Sequence, residues 1–304
     1  MLPDLKTMLV LNPHAGKGRG GKIFPAVRAL LEPHFPGLEV RVSEYAGHAF
    51  EIGRDAARGG YERILSVGGD GTPFEIVNGF YAGGRPKRPV ELGMVPAGTG
   101  NSFLRDFSTM SWREAVENIL AGKRRRVDLV EIVYDRDGHE VQQYYLNILG
   151  IGLIADILKL TNEKLKGFGA LGYSLAVMLR LAKGMRNRMR LTVDDERIEI
   201  VNSALVISNS KFTGGAMKIA PMADTQDGKA DLVIFQEVNR RDILHIFARV
   251  FKGSHVGHPK VKTWRGAEIS IASEPQEMLM ADGELLGRTP LRLRVLPGEL
   301  IVLA

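Results

Sequence analysis

The sequence predicts two domains: an α/β N-terminal domain with a mostly parallel sheet, then a predominantly β C-terminal domain arranged as a sandwich. Three observations carry that reading. Strand and helix patterns alternate through roughly the first 127 residues. Three of those strands run directly into polar, glycine-bearing loops. Beyond that point apolar residues alternate in twos, with turn signals between the runs. The division falls at 1–128 and 129–304, and 304 residues suffice for two such domains.

In chain order, "KTMLVLN" (6–12) is a short apolar strand ending in a polar turn, and a helical pattern covers about 21 to 33. "LEVRVSEY" is a second strand, and "HAFEIGRDAARGG" is an alanine-rich helix stopped by glycines. "YERILSVGG" is a third strand entering "GGDGT", with a helix starting near Pro73. "PVELGMVPAG" is a strand and loop, and "SFLRDF" begins another helical region. "RRVDLVEIVYDRDGHEVQQYYLNILGIG" reads as a hairpin around "DRDG". Residues 155 to 185 read as mostly helical, and "MRLTVDDERIEIVNSALVISNS", "KADLVIFQEV", "AEISIASEPQEMLMADGE" and "TPLRLRVLPGELIVLA" return to strands.

Composition narrows the chemistry. There is no cysteine, so disulfides and thiolate metal sites are excluded. The start lacks a basic leader and a long apolar core, and no window has the roughly 18 apolar residues of a membrane span. A cytoplasmic protein is the expectation. The net charge of +6 gathers in "GRPKRP" (84–89), "GKRRR" (122–126) and "RLAKGMRNRMR" (180–190). These runs suit nucleotide phosphates or an anionic membrane, or else form a solvated basic surface. No motif supports nucleic-acid binding.

The residues of "SVGGDGTPFEIVNGF" (66–80) specify a strand, a glycine turn and a helix N-terminus. Gly68, Gly69 and Gly71 permit unusual dihedrals and close ligand approach. Thr72 suits an N-cap, Pro73 the first helical position, and Glu75 would complete a capping box. Such a terminus favours phosphate. Asp70 sits awkwardly beside phosphate unless Mg²⁺ intervenes or the carboxylate receives a hydroxyl proton; a plain Asp-Gly turn is the structural alternative. "LNPHAGKGRGG" and "MVPAGTGNSF" supply two more loops at strand C-termini, where open parallel sheets bind ligands. Neither is a P-loop, and no GxGxxG fingerprint follows the first strand. His14 lies near the first loop, and no spaced histidine set suggests zinc.

Taken together, "NPHAGKGRG" (12–20), "GGDGT" (68–72), "PAGTGNSF" (96–103), "NILGIG" (147–152), "APMADTQDGKADLVI" (220–234) and "ADGE" (281–284) resemble the diacylglycerol kinase catalytic-domain superfamily, which includes bacterial soluble lipid kinases and sphingosine kinases. "GGDGT" alone is shared with NAD kinases and phosphofructokinases; the ordered set spans nearly the whole chain. The resemblance implies a nucleotide-binding α/β domain and a β-sandwich whose C-terminal segment packs back on the first domain, with ATP between them. It implies nucleotide contacts from Asn12, Ser43, Gly68, Gly69, Asp70, Gly71, Thr72, Gly98 and Thr99. It implies that Glu284, or alternatively Asp282, accepts the proton of a lipid hydroxyl, with Asp70 in support. It also implies a Mg²⁺ site at "DTQDGK", held by Asp227 with backbone oxygens near Asp224 and Lys229. Asp224, Gln226, Asp227 and Asp231 are oxygen donors suited to a hard cation, without the EF-hand spacing.

Two positions depart from the pattern. Phe74 stands where the bacterial lipid kinases have asparagine, and packing against the sheet accounts for it. Ser102 stands where aspartate is common. The implied activity is transfer of the ATP γ-phosphoryl group to a hydroxyl of diacylglycerol or a related lipid. An NAD kinase-like enzyme and an inactive nucleotide- or lipid-binding protein are the alternatives. The implied partner is lipid at a membrane surface, contacted peripherally, with a homodimer among the open assembly states. "LIADILKLTNEKLKGFGALGYSLAVMLRLAKGMRNRMRL" combines apolar residues with a basic end, which suits lipid contact or a buried helix reaching the surface.

Overall fold

A computed structural model describes residues 4–152, 187–202 and 204–304. The helical reading of 155–185, and with it most of the lipid-contact segment, lies outside the described residues. In chain order the elements are β1 (Thr7–Leu11), α1 (Ala15–Leu31), β2 (Glu39–Val42), α2 (His48–Arg58), β3 (Arg63–Gly68), α3 (Gly71–Tyr81), β4 (Val90–Pro96) and α4 (Trp112–Leu120). The β-rich part follows with β5 (Arg124–Arg136), β6 (His139–Tyr145), β7 (Ile148–Gly152), β8 (Asn187–Val193), β9 (Glu196–Asn202), β10 (Ala204–Ser208) and β11 (Ala230–Phe235). Then come α5 (Arg240–Val250), β12 (Val261–Gly266), β13 (Glu268–Glu274), β14 (Met278–Ala281) and β15 (Glu284–Leu303). The chain divides into two compact units: Met1–Leu129 with Gly214–Ala216 and Pro297–Ala304, and Val130–Thr213 with Met217–Leu296.

The first unit is the expected parallel α/β layer. Its strands run in the order β2-β1-β3-β4, all parallel, and Leu300–Leu303 at the end of β15 adds a further parallel strand beside β4. β1, β3 and β4 are buried along their whole length, so they read as continuous apolar runs rather than alternating ones. Val27 and Leu31 of α1 and Val116 and Ile119 of α4 share a core with Leu9, Leu65 and Val95. α2 and α3 touch backbone to backbone. A Cβ on Gly53 would lie 2.3 Å from the Ile76 carbonyl oxygen, and one on Gly79 would lie 1.9 Å from that of Phe50. Phe74 on α3 is buried, in keeping with a packing role.

One local expectation fails. α3 starts at Gly71, one residue before Thr72, and Asp70 at its N-cap makes no side-chain capping bond. Glu75 does not close a capping box; its carboxylate accepts the N–H groups of Gly47 and Ala49, at 3.2 Å each. Those amides belong to the start of α2, so the carboxylate satisfies orphan donors of a neighbouring helix. The tight packing of α2 on α3 puts them within reach, which local spacing cannot reveal.

The second unit is β-rich and mainly antiparallel. One path runs β12-β11-β10-β7-β14 to the start of β15. A second set holds β9-β8-β13 against the middle of β15, and the β5–β6 hairpin turns at Asp137 and Gly138, both with positive φ. The sequence reading assigned nothing to 239–266. There α5 opens with a capping box from Asn239 and Asp242, and its Ile246 and Val250 join the core with Val206, Val233 and Val261.

Candidate active site

In the first unit the three glycine loops meet at the C-terminal edge of the sheet. Asn12 follows β1 and donates its backbone N–H to Val67 of β3 at 2.9 Å. Its side-chain amide donates to the Thr72 hydroxyl at 3.3 Å, while its Oδ1 accepts the His14 N–H at 3.1 Å. Gly16, Lys17 and Gly18 all lie in the left-handed region, so the true helix starts later than the element boundary. Gly18 donates its N–H back to the His14 carbonyl at 3.2 Å, closing a tight turn ahead of the helix. Ser43 is buried at the end of β2, its N–H donating to Leu11 at 2.8 Å.

The loops touch where side chains are absent. A Cβ on Gly98 would stand 2.5 Å from Gly69 Cα, and one on Gly16 would stand 2.1 Å from the Ala97 carbonyl oxygen. Gly68 accepts the amides of Ala97 and Gly98, at 2.7 and 3.2 Å. Asn101, with positive φ, folds its side chain back to pair with both backbone groups of Gly98. Gly71 begins α3, and Thr99 is exposed at the tip of its loop.

Asp70 braces this assembly. Its Oδ1 accepts the Ser102 N–H at 2.8 Å, and the amides of Asn101 and Phe103 also point to it. Burial pushes the Asp70 carboxyl above its ordinary value, while those amides and the Arg105 charge pull the other way without cancelling the effect. Ser102 is itself buried, and its hydroxyl accepts the Gly215 N–H at 3.0 Å. The departure at Ser102 thus has a structural role. Sequence reasoning missed Gly215, whose only signal was a Gly-Gly pair far along the chain.

The second unit holds the late acidic pair. "ADGE" is a two-residue hairpin turn between β14 and β15, with Asp282 and Gly283 both at positive φ. The turn sends the two carboxylates to different surroundings. Asp282 accepts three consecutive backbone N–H groups, from Leu146 at 2.8 Å, Asn147 at 3.0 Å and Ile148 at 2.9 Å. Around it lie buried Asn147, Asn209 and Ser210, with Asn209 donating to the Leu146 carbonyl at 2.8 Å and Ser210 donating to Asn147. Tyr145 is pushed well above its usual value by burial and by the Asp282 charge. Glu284 starts β15 and is exposed. The "SNS" of 208–210 had no sequence signal beyond being polar in an apolar strand end.

In the stretch expected to hold metal, the carboxylates make local bonds and an ion pair. Asp224 accepts the Gln226 N–H at 3.1 Å, and Asp227 accepts the Lys229 N–H at 3.0 Å and pairs with Arg265. Asp231 is buried, its Oδ1 is 3.6 Å from Arg265 Nε, and its Oδ2 has no hydrogen-bond partner. Its pKa is raised from 3.8 to about 6, chiefly by burial, with Arg265 opposing and the charges of Asp227 and Asp224 adding. Among the described residues no three or more His, Asp or Glu side chains close into a metal-holding group. The donors are nonetheless hard oxygens, and the orphaned Asp231 oxygen fits a hard cation in kind. No described helix is long and apolar enough to cross a membrane.

Two family models match the chain in succession. Residues 6–132 match the diacylglycerol kinase catalytic domain, and residues 147–304 match the YegS C-terminal NAD kinase beta sandwich-like domain. A diacylglycerol kinase of Staphylococcus carnosus is 30% identical over 289 residues, covering 94% of this chain and 90% of the relative. A crystal structure of a diacylglycerol kinase from Bacillus anthracis str. Sterne superposes with a TM-score of 0.74 at 22% identity, covering 100% of this chain and 98% of that one. Yeast NADH kinase complexed with NADH shares the fold more distantly, with a TM-score of 0.58 at 10% identity, covering 99% of this chain and 83% of that one. The relatives are kinases, and kinase chemistry implies ATP as phosphoryl donor. With glycine loops, late acidic turn and both family domains in one order, the chain belongs to the diacylglycerol kinase catalytic-domain superfamily, a family of lipid kinases.

Proposed function

We propose that the protein transfers the γ-phosphoryl group of ATP to a hydroxyl of diacylglycerol or a related lipid at a membrane surface. The observation that carries this reading is the unequal environment of the late acidic pair. Asp282 spends its carboxylate on three amides, whereas Glu284, two residues on, is exposed at the start of β15. A carboxylate whose oxygens already accept three backbone amides is held in place and poorly disposed to take a substrate proton. Glu284 is therefore the base and Asp282 the residue that sets the turn.

The acceptor oxygen attacks the γ-phosphorus, the bond to the β,γ-bridging oxygen breaks, and ADP leaves. The hydroxyl proton passes to Glu284. Such transfer depends on alignment and charge stabilisation more than on covalent catalysis by the protein. The 12–18, 68–72 and 97–101 loops hold the phosphates through amides they do not spend on one another, with Asn12 and Thr72 fixing the loops to each other. Ser43 and Thr99 line the nucleotide. Mg²⁺, when bound with ATP, neutralises phosphate charge, and Asp70 is the loop carboxylate that would hold it. A second Mg²⁺ would be held by Asp227, the backbone near Asp224 and Lys229, and Asp231, and would stabilise the β-rich unit.

The test is phosphate transfer from labelled ATP in mixed micelles, comparing wild type with Glu284→Gln and Asp70→Asn. Loss of a general base costs about 10²- to 10⁴-fold. Glu284→Gln is expected to lose lipid turnover on that scale. Equal turnover by Glu284→Gln would remove the assigned base, and no labelled lipid with wild type would remove the function.

A further inference from the structure

Two of the basic runs, 84–89 and 122–126, play no part in the glycine-loop site. The first unit brings them together. Both line a groove of about 870 Å³ whose floor includes Val90 and Glu91 at the start of β4. This is the amino-terminal edge of the parallel sheet, whereas the glycine loops leave its carboxy-terminal edge. The length of β3, Arg63 to Gly68, separates the two edges by roughly 17 Å at the usual strand rise. One phosphate cradle cannot serve both.

Six cations line the groove: Arg58, Arg85, Lys87, Arg88, Arg124 and Arg126. Its carboxylates are Glu62 and Glu91. Glu91 is already committed, since it pairs with Arg124 and with buried Arg63, whose Nε is 2.7 Å away. Arg85 is held by Glu299. Arg58, Lys87 and Arg88 have no ion pair among the described residues. The last turn of α2 gives Arg58 a local reason, because a helix C-terminus favours a cation. It gives none for Lys87 and Arg88, which sit on a loop stiffened by Pro86 and Pro89. Like charges held together on a concave wall repel each other and focus a positive potential into the groove. Forked guanidinium donors beside an ammonium match the oxygens of a phosphate group.

We propose that this groove is a second anion site, distinct from the glycine-loop site, that binds a phosphate ester or diphosphate. The ligand is a soluble phosphate compound or the headgroup of an anionic lipid; the chemistry recognised is the same. The proposal does not depend on which hydroxyl the enzyme phosphorylates.

The test uses the whole chain with the nucleotide site saturated by a non-hydrolysable ATP analogue. Inorganic pyrophosphate is titrated by calorimetry, and in parallel the protein is floated with vesicles of phosphatidylcholine alone or mixed with phosphatidylglycerol. Each is repeated with the combined variant Arg58→Gln, Lys87→Gln, Arg88→Gln, whose three side chains are exposed, after its thermal midpoint has been compared with that of wild type. Pyrophosphate binding that weakens at least about tenfold in the variant, the scale of one lost charge-assisted hydrogen bond, supports a soluble ligand. Capture by phosphatidylglycerol vesicles that is lost in the variant supports a lipid headgroup. Wild type that binds neither probe, or a variant that binds both as wild type does, overturns the proposal.

Discussion

Gly98→Ala tests the loop geometry directly. The added Cβ would lie 2.5 Å from Gly69 Cα and 2.9 Å from Asn101 Oδ1. The Asn101 side chain can rotate away, but Gly69 Cα is backbone and cannot. Carbon atoms pack at about 3.5 Å or more, so the 68–72 and 97–101 loops must part by about 1 Å. Misplacement of that size costs on the order of a hundredfold in an oriented reaction. The reciprocal change, Gly69→Ala, meets Gly98 Cα at 3.2 Å and needs only a few tenths of an ångström. Steady-state phosphoryl transfer with ATP as the varied substrate should therefore rank wild type above Gly69→Ala above Gly98→Ala in kcat/KM. The glycine turn lies at a sheet edge, so thermal midpoints should move far less than activity. Equal kcat/KM for Gly98→Ala and wild type would refute the claim that close approach of these loops shapes the phosphate site.

Three further predictions concern stability and pH. Glu75→Ala leaves the Gly47 and Ala49 amides without their carboxylate and should cost about 1 kcal/mol in urea unfolding, the usual scale for a lost N-terminal cap; no change would show that water replaces it fully. Glu91→Gln uncouples buried Arg63 from its carboxylate and should cost about 3–5 kcal/mol, read from the same transition, whereas a loss below about 1 kcal/mol would contradict a buried pair. Asp231 binds its proton more tightly in the folded state, with a pKa of about 6 against 3.8, so its contribution is complete below pH 3.8 and is lost as pH rises to about 6. The thermal midpoint of Asp231→Asn minus that of wild type should therefore grow across that window without divalent metal, and Mg²⁺ should shrink the difference above pH 6; a flat difference would refute it.

Much of the fold was legible because its determinants are local. The fully buried parallel strands produced unbroken apolar runs, and the antiparallel hairpins carried alternation around Asp137–Gly138 and Asp282–Gly283. What stayed hidden depends on contacts between distant segments. Glu75 has capping-box spacing from Thr72, yet the close packing of Gly53 and Gly79 offers it better donors on another helix. Ser102 looked like a departure until Gly215 supplied its hydrogen-bond donor. α5 was unread because its capping box, Asn239 with Asp242, falls in a stretch between two strong strand signals. The ordering of Asp282 and Glu284 could not come from spacing either. A strand would place residues two apart on one face, and the turn instead sends Asp282 to the amides of 146–148.

The central claim is phosphoryl transfer to a lipid hydroxyl. The most direct measurement offers γ-labelled ATP and Mg²⁺ to the wild-type protein with a lipid panel, including dispersed diacylglycerol, and with NAD, and counts label in the organic and aqueous products separately. The account predicts label in a chloroform-soluble phospholipid and none in NADP. Label in NADP with none in any lipid would contradict it.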